Sequence, residues 1–137
     1  MKQRHAVILS ISTLLLVLAV ASASAGPVWI CSNTRAVECG DDGTVDEPDL
    51  GGLKPVTFMR VDSTKMEITL LAPPERAGEV TVIDNALKEE GIWVFTGIEN
   101  GRAWSMVISD EGYMTLSVTY DGVTWSVFGH SVVEDLD

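Results

Sequence analysis

Few side chains of this chain have the types and spacing that catalysis requires. His130 is the one histidine after residue 25, and Ser126 and Ser131 are the nearby hydroxyls that a serine–histidine–acid arrangement would use. No Gly-x-Ser-x-Gly segment presents a nucleophile. The paired carboxylates that acid–base chemistry would use fall in predicted turns, where water hydrates them. The pattern therefore predicts that the protein is not an enzyme.

Carboxylates are concentrated in residues 38–49, and calcium binding is the chemistry they suggest. Between Arg35 and Lys54 there is no basic residue, and glycines at 40 and 43 allow a tight backbone. The candidate metal ligands are Asp41, Asp42, Asp46 and Asp49. Their spacing does not match an EF-hand loop. We therefore expect a hydrated acidic loop and no cofactor, and a calcium-stabilised domain is the alternative.

Three tryptophans of the C-terminal half are candidate ligand-binding residues. Trp93, Trp104 and Trp125 lie on three predicted strands. If the strands form a barrel, inward indoles can line a pocket for an apolar ligand. The alternative is that they fill the core, because an eight-stranded barrel is just wide enough for its own side chains.

The two cysteines, Cys31 and Cys39, lie near the start of the predicted mature chain. In an oxidising compartment such a pair is expected to form a disulfide. A zinc site would need two further ligands, and no histidine is nearby.

Residues 1–25 have the three-part layout of a signal peptide. Lys2 and Arg4 precede an apolar stretch over residues 6–20, and small residues follow up to Ala25. That stretch is shorter than the roughly 20 residues that span a bilayer. We expect cleavage after Ala25, or else after Ala23, a secreted or periplasmic mature protein, and no stable membrane insertion.

The mature chain is strongly acidic. The full chain carries a formal charge of −11, with nine basic and twenty acidic residues. Loss of Lys2 and Arg4 would leave seven basic residues against twenty acidic ones, a net charge of −13. Such a surface repels phosphate backbones, so nucleic acid is excluded as a partner, whereas basic proteins are not.

Short alternating segments predict strands throughout the rest of the chain. The expected strands are 26–30, 56–61, 67–71, 79–83, 92–98, 103–108, 113–120 and 123–128. Asn100-Gly101 and Asp121-Gly122 are hairpin turn signals. Residues 32–55 are predicted to be an irregular acidic loop, and residues 84–90 one or two helical turns.

The predicted fold is therefore all-β: one domain over residues 26–137, with about eight short antiparallel strands. The strands are expected to form a small up-and-down barrel or a two-sheet sandwich.

The predicted function is that of a small exported, non-catalytic binding module for an unidentified apolar ligand. An acidic inhibitor of a basic secreted partner, contacting it through residues 38–49, is the first alternative. A calcium-stabilised extracellular domain is the second.

Overall fold

Alternating apolar and polar side chains produce ten antiparallel strands, described by a computed structural model that covers residues 25–135. The strands are β1 Val28–Cys39, β2 Val45–Asp46, β3 Phe58–Asp62, β4 Glu67–Ala72, β5 Val80–Val82, β6 Asn85–Glu89, β7 Ile92–Glu99, β8 Arg102–Ser109, β9 Tyr113–Tyr120 and β10 Val123–Val133. A 3-10 turn at Pro74–Arg76 is the one helical element of this range. The predicted signal peptide lies outside the described residues except for Ala25.

All ten strands belong to one antiparallel sheet that curls into a half-barrel. The predicted all-β class is confirmed, with two more strands than expected. The strand order is β5-β4-β3-β1-β10-β9-β8-β7-β6, and β2 pairs with β1 beside this path. Between residues 25 and 135 there is no helix of the length and hydropathy needed to cross a bilayer.

The two edge strands of the sheet are consecutive in the chain. Only Ile83 and Asp84 separate β5 from β6, which lie at opposite ends of the strand order. The Ile83 N–H donates to the Met66 carbonyl at 2.8 Å, and the Asp84 N–H donates to the Thr96 carbonyl at 2.9 Å. These two hydrogen bonds hold the link to both sides of the curled sheet, so the end of β5 and the start of β6 lie close together here.

Strand β1 is much longer than the predicted strand 26–30. It pairs with β10 from Trp29↔Val133 to Cys39↔Thr124, with a bulge between Asn33 and Arg35. The first part of the predicted loop 32–55 is therefore strand. Residues 32–39 have weak strand propensity, but pairing with β10 supplies the hydrogen bonds that hold them extended. The irregular segment is 47–57, after the short strand β2.

The predicted helical turns at residues 84–90 are wrong. The segment is strand β6, which pairs with β7 from Asn85↔Thr96 to Glu89↔Ile92. Glu90 and Gly91, both at positive φ, form the hairpin turn. Asn100-Gly101 and Asp121-Gly122 also have positive φ at both residues, as hairpins of this type require.

The inward faces of the strands pack tightly at one end of the half-barrel, the packed end. Trp29, Val61, Phe95, Ile108 and Met114 are buried there, and Trp29 makes edge-to-face contacts with Trp93 and Phe95. The packed end supplies the larger part of the core. At the other end the same inward faces diverge.

Candidate functional site

A cavity of about 1000 Å³ occupies the open end of the half-barrel. Its wall includes Leu116, Val118, Trp125 and Val127, which are only partly buried, and Met106 lies deeper at its floor. Residues 45–48, Leu50 and residues 55–57 border it on the loop side. Its volume is at the upper end of the range found for small-molecule pockets.

One register row, a set of residues paired across neighbouring strands, forms the part of the wall nearest the mouth. Its inward members are Gly97, Trp104, Val118, Trp125 and Glu38, on β7, β8, β9, β10 and β1. The next row inward is Phe95, Met106, Leu116, Val127 and Ala36. Because a strand alternates its side chains between faces, all ten residues face the interior.

The indole of Trp104 lies against Gly97, its partner on β7. A Cβ at position 97 would approach Trp104 Cζ2 to 2.5 Å and Nε1 to 2.8 Å, which is too close for any side chain. Glycine at 97 therefore lets the ring lie flat on the neighbouring strand. Trp104 is 7% exposed.

Two buried polar atoms of the cavity lining have no hydrogen-bond partner among residues 25–135. They are Nε1 of Trp104, a donor, and Oδ1 of Asn33, an acceptor. The Asn33 amide nitrogen donates to the Val56 carbonyl at 2.9 Å, which anchors the loop wall. Buried polar groups are normally satisfied, so these two atoms mark places where a ligand or water can bind.

At the mouth, Arg102 lies over two aromatic rings. Its guanidinium carbon is 4.9 Å from the centroid of Tyr120 and 5.4 Å from that of Trp125. The two rings meet edge to face at 5.4 Å. Trp125 in turn donates from Nε1 to Glu38 Oε2 at 2.6 Å, and the Asp49 N–H donates to the same oxygen at 3.3 Å. Glu38 thus connects the strand wall to the loop.

The structure brings two of the three predicted ligand-binding tryptophans together. Trp104 and Trp125 share the wall row described above. Trp93 lies at the packed end, stacked on Phe95 at 5.8 Å and edge to face with Trp29 at 5.4 Å. Trp93 is therefore not part of the cavity wall.

The four aspartates proposed as metal ligands are not gathered into a site. No three histidine, cysteine, aspartate or glutamate side chains of the described chain lie close enough to hold a metal ion. Asp42 Oδ1 accepts from the Thr44 N–H at 2.9 Å and from its hydroxyl at 2.7 Å, which lowers the pKa of Asp42. Asp49 Oδ1 accepts from the Gly51 N–H at 2.9 Å. Asp41 and Asp46 are exposed. These are turn-forming contacts of short polar side chains.

The prediction of a disulfide is wrong, because Cys31 and Cys39 are both free in the structure. Both lie on β1, eight positions apart, and an extended strand separates them by about 26 Å. A disulfide needs Cα atoms within about 7 Å. Burial raises the pKa of the Cys31 thiol to about 12.

His130 lies on the outer face of β10, with its ring 5.7 Å from that of Tyr113. Ser131 is buried, and as the next residue of the strand it points to the opposite face. The structure therefore does not bring this serine to His130.

Sequence reasoning missed Asn33 and Arg102. Asn33 fell in the predicted loop, and no local signal reveals a strand there. Arg102 could have been found, because it lies two residues before Trp104 on an alternating strand and so shares its face. No family model, curated protein or solved structure matches this chain.

Proposed function

We propose that the mature protein is an exported, non-catalytic binding module that holds a small apolar ligand in the half-barrel cavity. The observation that carries the proposal is the incomplete burial of inward side chains at one end. Leu116, Val118 and Val127 face the interior and are only partly buried, so part of each side chain borders the open space of the cavity. Apolar surface of this kind gains roughly 25 cal/mol per Å² when a ligand removes it from water.

Two further features support a binding role. The unpartnered Trp104 Nε1 and Asn33 Oδ1 place a donor and an acceptor among apolar walls, the combination that orients a ligand in a pocket. The signal-like residues 1–25 favour a secreted or periplasmic location. Intact-mass measurement of the exported protein would check that location, because we expect the chain to start at Gly26.

An acidic inhibitor of a basic protein is the second candidate. Asp41, Asp42, Asp46 and Glu47 are all exposed on one segment, and that segment has no basic residue. Binding of this kind weakens steeply with added salt, whereas binding in an apolar cavity does not. A salt titration of any isolated complex would therefore separate the two functions.

The test of the cavity uses the neutral fluorescent probe N-phenyl-1-naphthylamine and two adjacent positions on β9. Leu116 faces the cavity and Ser117 faces outward. We expect Leu116→Trp to fill the cavity and weaken probe binding at least tenfold, whereas Ser117→Trp should leave it unchanged. Probe emission and isothermal calorimetry give the affinity, and circular dichroism reports whether each variant is folded.

Equal effects of the two substitutions, or no probe binding by the wild-type protein, would contradict the proposal. If Leu116→Trp does not fold, Val118→Phe replaces it, because Val118 lies in the adjacent wall row.

A further inference from the structure

We infer that the ligand is an amphiphile with an apolar body and a single anionic head, and that the Arg102 guanidinium at the cavity mouth binds the head. This inference rests on the proposed function and names its ligand class. The apolar side chains of the cavity wall, such as Leu116, Val118 and Val127, bind the apolar body. The Arg102 side chain selects the head.

Arg102 is available to an anion because its side chain has no hydrogen bond or ion pair with any residue of the described chain. Its guanidinium carbon lies 4.9 Å from the centroid of Tyr120 and 5.4 Å from that of Trp125. These ring contacts use none of its five N–H donors, which can bind two oxygens side by side. Arg102 also lines the cavity.

The ion pairing of the other arginines also supports an anion site at Arg102. Residues 25–135 contain four, and two are already paired. Arg60 binds Asp62 and Glu134, and Arg76 binds Glu79. The two without an ion-pair partner in this range are Arg35 and Arg102. Arg35 is paired with Phe128 and faces outward from β1, whereas Arg102 shares the inward face of Trp104 and lines the cavity. In a chain with so large an acidic excess, an unpaired guanidinium at the opening marks a site for negative charge.

The carboxylates nearest this strand wall already have partners. Glu38 accepts hydrogen bonds from Trp125 and Asp49, and Glu99 accepts one from the Thr81 hydroxyl at 3.1 Å. Asp46 and Glu47 line the opposite, loop side and are exposed to water. Neither Glu38 nor Glu99 forms an ion pair with Arg102, so these carboxylates do not occupy its N–H donors.

Trp104 adds a second donor on the same strand face, deeper in the cavity than Arg102. It lies two residues from Arg102 on β8, about 7 Å along the same face. Its Nε1 is buried without a partner among the described residues. A carboxylate or a phosphate ester pairs side by side with the N–H donors of Arg102, and Trp104 Nε1 remains a second, separate donor deeper in the cavity.

The test compares four twelve-carbon competitors that differ only in their heads, each used below its micelle concentration. Dodecanoate and dodecyl phosphate carry the anionic head, dodecanol is neutral and dodecyltrimethylammonium is cationic. Each displaces N-phenyl-1-naphthylamine from the wild-type protein. We expect at least one of the two anions to compete at a tenfold lower concentration than dodecanol, and the cation to compete least well. The better of the two anions identifies the head as carboxylate or phosphate.

The Arg102→Gln variant should weaken the preferred anion about tenfold or more and leave dodecanol unchanged, since a charge-assisted bidentate pair is lost. Arg102→Lys should recover part of that loss because it keeps the charge. Lys88→Gln is the matched control. It removes the same charge, but Lys88 lies over Trp93, away from the cavity lining.

Three outcomes would overturn the inference. Dodecanol could compete as well as both anions, Arg102→Gln could weaken all competitors equally, or Lys88→Gln could have the same effect as Arg102→Gln. In each of these cases the cavity itself still binds. Failure of the probe to bind the wild-type protein would instead remove the proposed function, and the inference with it.

Discussion

Cys31 and Cys39 differ in accessibility because the bulge between Asn33 and Arg35 changes which residues of β1 face inward. Cys31 faces the packed end and is fully buried, whereas Cys39 is half-buried near the mouth. The sequence does not reveal that both cysteines lie on one long strand. The disulfide prediction fails because residues 32–39 are extended, and they are held extended by pairing with β10, which is distant in the sequence.

We predict that iodoacetamide at about pH 8, below the Cys31 pKa of about 12, modifies Cys39 but not Cys31 in the folded protein. In urea without reductant, both thiols should react. Mass spectrometry counts the adducts. Two unreactive cysteines in urea, with reactivity restored by reductant, would show that the disulfide exists after all.

Asp62 provides a pH-dependent contribution to stability. Burial alone would raise its pKa, but hydrogen bonds from the Lys65 N–H, the Arg60 guanidinium and the Thr64 N–H together lower it below its usual value. Since the pKa is depressed on folding, the stabilisation is present above the unfolded value of about 3.9 and is lost as the pH falls through the folded value.

Asp62→Asn should therefore lower the free energy of unfolding by about 1–3 kcal/mol at pH 7. The difference from the wild type should shrink below about pH 4. Urea denaturation at several pH values measures it. Glu111→Gln, at an exposed turn position without a partner among the described residues, is the control and should change little at any pH. A pH-independent effect of Asp62→Asn would contradict the electrostatic account.

At the scale of elements, local pattern predicted the C-terminal strands well. Strand β9 occupies the predicted residues 113–120, with Met114, Leu116 and Val118 facing inward as expected. Strand β6 was missed because Ala86, Leu87 and Lys88 are good helix formers, and only pairing with β7 makes the segment extended. Both β6 and the second half of β1 are extended because they form hydrogen bonds with a neighbouring strand. The local sequence contains no signal for that pairing.

The link between β5 and β6 should be unusually sensitive to truncation. Ile83 is 3% exposed and lies where the two edges of the sheet meet, whereas its neighbour Val82 is 63% exposed. Ile83→Ala should lower the free energy of unfolding by about 2–5 kcal/mol because it leaves a cavity in the core. Val82→Ala should change it by less than about 0.5 kcal/mol. Equal losses in urea denaturation would show that the link does not hold the edges together.

At the scale of the whole molecule, the sequence predicted the class but not the strand order. Hairpin signals predict that neighbours in the chain pair. The placement of β1 between β3 and β10, and the meeting of β5 and β6, depend on how the whole sheet curls. The cavity follows from that curvature, so Trp104 and Trp125 could be predicted as inward residues but not as parts of an open wall.

The acidic excess should make stability depend on ionic strength. Raising sodium chloride from about 20 to about 200 mM should raise the Tm by a few degrees, because screening reduces repulsion among the carboxylates. Calcium chloride at matched ionic strength should give no further rise, since the four loop aspartates are not gathered together. A larger rise with calcium, measured by differential scanning calorimetry, would establish a specific site.

Both ends of the described chain leave the half-barrel side by side. Trp29 is paired with Val133, and the Glu134 N–H donates to the Val28 carbonyl at 2.7 Å, at the end of the strands farthest from Glu38 and Trp125. A fusion partner or affinity tag joined directly before Gly26 or after Asp135 would therefore project away from the opening. Protein immobilised on a sensor surface through such a tag would keep the opening turned towards the flowing sample.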